Sequence, residues 1–279
     1  MQSVFSFAGV SDLSMGVKVT GITRSFRAAQ RNLQTVIPGK SGTYSYTDGT
    51  FENTQITLDC MYTGTEPAAF MRRLAAWCKG TNDLVFADEP DKIYTASAWA
   101  GIPADYVQSL RHYTITFDCA PFARSAAVQQ AKGTITPPSG AVAVQVEGTA
   151  PTPCRIEIVN SGSTTITEME ATRTTAAMAF SNYQFNTKAP FNRAGLATDS
   201  GTPLELGGES ATLSFAPGDV MVIDTEALSI TLNGTEDVSA WVVGSEFPVL
   251  EKGLNLLSFE APGNGWELEV TVYWSDRWL

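Results

Sequence analysis

The chain has 279 residues, with 29 acidic against 18 basic side chains, a formal charge of −11 and a single histidine. That length builds one large domain or two of ordinary size around a substantial core, and two are expected. The acidic balance opposes clamping of a phosphate backbone, which needs clustered Lys and Arg, so no nucleic-acid binding through a basic groove is expected.

Residues 1–9 carry no basic side chain and only broken apolar pairs, so no signal peptide is expected. No apolar run is long enough to span a membrane. Cys60, Cys78, Cys119 and Cys154 lie far apart with no Cys-x-x-Cys pair, which argues against zinc or redox chemistry. Cys60 is in phase with Ile56, Leu58 and Tyr62, Cys119 with Tyr113, Ile115 and Phe117, and Cys78 lies on a helical stripe. These three read as small buried hydrophobes of a chain folded in a reducing compartment.

In chain order, the first half predicts strands over 4–7, 17–23, 51–62, 84–87, 94–99 and 113–119. One helix is predicted over 66–79, with Thr65 as N-cap, Pro67 in the first turn and Gly80 as the stop. Phe70, Leu74, Trp77 and Cys78 share its apolar face. Between the early strands, residues 37–49 form a Gly-rich arm, where Gly39, Gly42 and Gly49 surround Tyr44 and Tyr46. Two readings stay open: a docking surface, or a hairpin tip whose tyrosines pack back on their own domain.

Residues 131–140 are polar and Pro-rich and are expected to link a domain at 1–130 to one at 141–279. Beyond them, strands are predicted over 220–223, 229–232, 254–259 and 269–279, with a tight turn at Asn233-Gly234. In the last of these, Val270, Val272 and Trp274 share one face, and the chain is expected to finish inside its own sheet. The fold class expected is mainly β: a β-rich α+β domain with one helix and a protruding hairpin arm, then a β-sandwich.

No catalytic residue, metal ligand or cofactor is assigned. His112 adjoins an alternating strand and reads as a surface histidine, with no activated nucleophile to place beside it. Gly39-Lys40-Ser41 imitates the end of a phosphate-binding loop, but Gln34 stands where the earlier glycine belongs. Asp88-Glu89-Pro90-Asp91 lacks the alternating spacing of a calcium loop and reads as a solvated turn between strands. Trp241, Trp266, Tyr273 and Trp278 are the aromatics to weigh for stacking on a sugar, although core or subunit contact is the favoured reading.

Several strings occur in a distinctive order. They are Phe5-Ser6-Phe7-Ala8-Gly9, the arm from Ile37-Pro38-Gly39 to Tyr44, FADEPDKIYTA at 86–96, and YTITFDCAPFAR at 113–124. VIDTEALSITLNG at 222–234, EFPVLEKGLNLLSF at 246–259 and the terminal Arg277-Trp278-Leu279 follow. Over nearly the whole chain they resemble the distal tail proteins of long, noncontractile-tailed bacteriophages. Residues 186–208 are the least family-like part.

The resemblance implies a homohexameric ring at the virion's tail tip, assembled in the bacterial cytoplasm. Its N-terminal domains form the ring, and C-terminal galectin-like jelly rolls point outward. The implied partners are the tail tube protein, a tail-tip or tail-associated protein, and receptor-binding or baseplate proteins, with DNA passing through the lumen without specific binding. An acidic lumen that repels the genome's phosphates fits the composition. The resemblance also implies a hairpin overlapping a neighbouring subunit, for which residues 37–49 and their flanks are the candidate, with Tyr44, Tyr46 and Phe51 as interface anchors. The rival readings are a module that recognises host saccharide, through Trp241 and Trp266, and a tail-associated glycan hydrolase.

Overall fold

Alternating apolar and polar residues make most of the chain strand, and the computed structural model describes residues 2–25, 27–47, 49–107, 110–177, 197–200, 204–207, 213–236, 238–240, 242 and 244–279. Two compact units emerge, one made of residues 1–126 with Trp278 and Leu279, the other of 127–277.

The first unit comprises β1 (Phe5–Phe7), β2 (Val10–Ser11), α1 (Asp12–Met15), β3 (Lys18–Arg24), β4 (Leu33–Val36), β5 (Thr43–Tyr46) and β6 (Thr54–Tyr62). It continues with α2 (Pro67–Trp77), β7 (Thr81–Phe86), β8 (Glu89–Ser97), β9 (Ala104–Val107), β10 (Leu110–Cys119) and β11 (Ala123–Ser125). Its main sheet runs β2-β1-β7-β8-β10-β6-β3. Ile56, Leu58 and Cys60 of β6 and Tyr113, Ile115 and Phe117 of β10 turn to the side where Phe70 and Leu74 of α2 pack, in one core cluster. The opposite face is solvated, with Asp59 exposed there, as an antiparallel sheet covered on one side allows.

Helix α2 begins one residue later than its capping pattern suggests. Glu66, not Thr65, is its N-cap, and no side chain caps it; Pro67 takes the first position, where a missing N–H costs nothing. Trp77 fastens it to the sheet by stacking on Phe5, ring centroids 5.7 Å apart, and by donating its Nε1–H to the Phe7 carbonyl at 3.0 Å.

The second unit holds β12 (Gln129–Ile135), β13 (Ser139–Val146), β14 (Cys154–Asn160), β15 (Glu168–Ala177), β16 (Ala197–Ser200), β17 (Leu204–Gly207) and β18 (Val220–Asp224). It continues with β19 (Ser229–Leu232), β20 (Thr235–Glu236), β21 (Gly253–Glu260) and β22 (Leu268–Trp274); β23 (Arg277–Trp278) follows. One sheet runs β12-β22-β14-β18-β19-β20 and the other β13-β21-β15-β16, with β17 also on β15. Ile156, Ile158, Val270 and Val272 from the first meet Val142, Val144, Leu257 and Phe259 from the second in a single cluster, the packing of a β-sandwich.

The expected linker at 131–140 is corrected. Residues 131–135 belong to β12, which pairs with β22 from Gln129↔Trp274 to Ile135↔Leu268, and 139–140 open β13. Proline supplies no N–H to a ladder, so Pro137 and Pro138 fall in the turn between these two strands instead of marking a domain boundary.

The expected terminal strand over 269–279 is corrected: Val270, Val272 and Trp274 are buried in β22 as the alternation predicts, but β22 ends at Trp274, and Arg277–Trp278 form a separate short strand outside its sheet. Asn233 and Gly234 adopt φ of 51° and 79°, the paired positive values that a tight two-residue hairpin turn requires between β19 and β20. Of the unmatched segment 186–208, the described residues are 197–200 and 204–207, in β16 and β17.

Candidate assembly surface

The arm grows from the hairpin formed by β3 and β6. These strands pair from Lys18↔Met61 to Arg24↔Ile56. The ladder resumes at a Gln30↔Phe51 bridge, where Arg31 donates its N–H to the Thr50 carbonyl at 2.9 Å and Glu52 donates to Ala29 at 2.8 Å. It ends in β4 and β5, paired from Leu33↔Tyr46 to Val36↔Thr43, a two-stranded sheet of its own.

Side chains alternate across a strand, so Leu33, Thr35, Tyr44 and Tyr46 share one face of the arm. That face is in water: Leu33 is 73%, Tyr44 57% and Tyr46 56% exposed. Val36 and Ile37 add further exposed apolar surface at the tip. Two strands forming a sheet of their own are marginal alone. The tyrosines do not pack back on their own domain.

Phe51 sits elsewhere. It is half-buried at the root of the arm, its ring edge-on to Phe122 with centroids 5.4 Å apart. Arg24 reinforces this root by pairing with Asp88 and, at 3.3 Å, with Glu89, while its guanidinium lies 5.0 Å from the Phe86 ring centroid. The carboxylates at 88–91 are thereby held by cations, Lys92 taking Glu89 and Asp91 at 3.6 and 3.5 Å. Sequence reasoning does not find Phe122, whose neighbour is 71 positions away and carries no local signal.

Of the aromatics weighed for saccharide contact, Trp266, Tyr273 and Trp278 are described. Trp266 is 2% exposed and donates its Nε1–H to the Ala261 carbonyl at 3.2 Å, so it fills the sandwich and offers no face to a sugar. Trp241 lies outside the described residues. The Tyr273 and Trp278 rings are half-buried, each with a cation over it, Arg155 at 5.7 Å and Lys92 at 5.2 Å from the centroid.

Burial pushes the thiols of Cys60, Cys78, Cys119 and Cys154 up to about 12, so none is a thiolate near neutral pH. Burial likewise raises the Tyr113 hydroxyl, and pushes Tyr94 up to about 12, helped by its hydrogen bond to Glu89. His112 is exposed, opposite Met61 on the neighbouring strand. Among the described residues no group of three or more His, Cys, Asp or Glu is placed to hold a metal ion.

The fold itself has a solved counterpart. Over 100% of both chains, at 15% identity and a TM-score of 0.70, this structure superposes on SPP1 Dit (gp 19.1), described as a paradigm of the hub adsorption apparatus in phages that infect Gram-positive hosts. The chain has the Dit fold. Residues 208–278 also match the family of the siphovirus-type tail component, C-terminal domain. No curated protein matches the chain.

Proposed function

We propose that this chain is a structural hub of a siphophage tail, a distal tail protein. Six copies close a ring by heterologous contacts, the arm of each lying on the next, so that rotation about the axis ends growth. The ring joins the tail tube to the baseplate, carries receptor-binding proteins on its outward second units, and passes DNA through its lumen. Acidic side chains on the inner wall let the genome's phosphates slide without adhering.

The observation that carries this reading is the likeness to SPP1 Dit along the whole of both chains. Two features of this chain support it: the exposed apolar face of Leu33, Tyr44 and Tyr46, and the match of 208–278 to a tail-component family. The role is architectural, not catalytic. Of the aromatics weighed for the saccharide-binding alternative, Trp266 is buried and Tyr273 and Trp278 each lie under a cation.

Native mass spectrometry of the full chain, with and without residues 37–49, tests the reading. A sixfold mass that collapses on removal of the arm tip supports it. A monomer at every concentration, unaltered when tube and baseplate partners are supplied, overturns it.

A further inference from the structure

Arg173 carries a charge on the apolar side of the second unit. On β15 it follows Met169 and Ala171 in two-residue steps, so it shares the face that these two buried residues turn into the sandwich. Across the ladder it stands opposite Leu257 of β21, which pairs in turn with Val142 of β13, and both are buried. Leu204 of β17, opposite Ala171, is buried as well.

The guanidinium Nη1 is shut off from solvent and has no hydrogen-bond partner among the described residues. Arg173 forms no ion pair among them either. Asn255, the buried polar residue two positions before Leu257 on β21, is engaged by its own loop. Its Oδ1 accepts the Glu251 N–H at 2.9 Å, and its Nδ2 donates to the carbonyls of Glu251 at 2.7 Å and Gly253 at 3.1 Å. The residue as a whole is only half-buried, so a small ion reaches it from solvent.

We propose that Arg173 anchors an oxyanion site in the second unit, taking a phosphate, sulfate or carboxylate group. A guanidinium keeps its proton in proteins, so its burial is not relieved by neutralisation as that of a lysine or histidine is. Water would satisfy the donor and leave the charge uncompensated, whereas an oxyanion does both. The planar fork of N–H groups matches two oxygens of one anion, and the apolar neighbours Ala171 and Leu257 limit the screening of that pair. This site is additional to the ring and does not depend on it.

Isothermal titration of the full chain with sodium phosphate, sodium sulfate and sodium acetate, at an ionic strength held constant with chloride, tests the site. One oxyanion should bind per chain. Arg173→Met should abolish that binding, and R173K should weaken it about tenfold, because an ammonium offers a point charge without the fork. Phosphate should also raise the melting temperature of the parent by more than that of Arg173→Met, since only the parent gains from ligand bound to the folded state. Binding of phosphate and sulfate alone supports a tetrahedral anion as the natural occupant, and binding of acetate supports a carboxylate. A parent that binds none of the three, or binding undiminished in Arg173→Met, overturns the proposal. Should Arg173→Met fail to fold, R173K decides, and an affinity equal to the parent's overturns it.

Discussion

Leu33 stands directly opposite Tyr46 across the arm, a cross-strand pair with both side chains more than half in water. Such a pair holds the two strands together locally yet adds little to the domain below. Substituting either by Ser should leave the melting temperature of the monomer nearly unchanged, as exposed positions away from the core usually shift stability by no more than about 0.5 kcal/mol. Association should fall by at least about tenfold for Tyr46→Ser, because aromatic anchors dominate interfaces. Scanning calorimetry and sedimentation on the same samples separate the two effects.

Trp266 makes the opposite prediction. Its ring is sealed in the sandwich and its N–H is used by the Ala261 carbonyl. Trp266→Ala should destabilise the second unit by about 3–5 kcal/mol, and Trp266→Phe by about 1–2 kcal/mol as that carbonyl loses its donor. Urea denaturation reads both. A stable Trp266→Ala protein that had lost only affinity for a glycan would restore the sugar-stacking role.

Why the sequence shows Val270, Val272 and Trp274 so plainly, and hides Trp266, is a matter of what local pattern encodes. An internal strand with one buried face must alternate, and β22 lies between β12 and β14. Cys154, Ile156 and Ile158 alternate just as clearly in β14. β12 is different: it sits at a sheet edge, buries only Ile135, and so reads as polar linker. In β13 two of the exposed alternate positions are Ala141 and Ala143, too apolar themselves to show a two-residue period at the centre of the strand. At the arm, glycines and tyrosines mark an unusual stretch, but whether Tyr44 faces water or Phe51 finds Phe122 depends on residues far away in the chain.

Alkaline pH should unfold the protein through its buried thiols. Their folded pKa values are raised from 9.0 to about 12, so the folded state binds these protons more tightly than the unfolded one. The associated stability is complete below pH 9 and drains away as pH rises toward 12, by roughly 1.4 kcal/mol per thiol per pH unit at full slope. Circular dichroism from pH 8 to 11 should show a steep loss. Cys119→Ala should make that loss shallower, whatever it does to stability at pH 7; an unchanged slope would remove Cys119 from the cause.

Phe51 and Phe122 offer a test of where the arm is rooted. Their edge-to-face contact ties residue 51, the bridge partner of Gln30, to a residue beside β11 in the same unit. If this contact anchors the arm to its own domain, Phe51→Ala and Phe122→Ala should each destabilise the monomer by about 1–2 kcal/mol. The double variant should then lose less than the sum by about 0.5–1.5 kcal/mol, the worth of the ring pair. Hydrogen exchange adds a local reading: the Arg31 and Glu52 amides, bonded to Thr50 and Ala29, should exchange faster in Phe51→Ala while amides of α2 do not. Tyr44→Ala, on the exposed face, should change neither. Were Phe51→Ala instead to leave stability and exchange untouched and abolish association, Phe51 would be an interface anchor like the tyrosines above it.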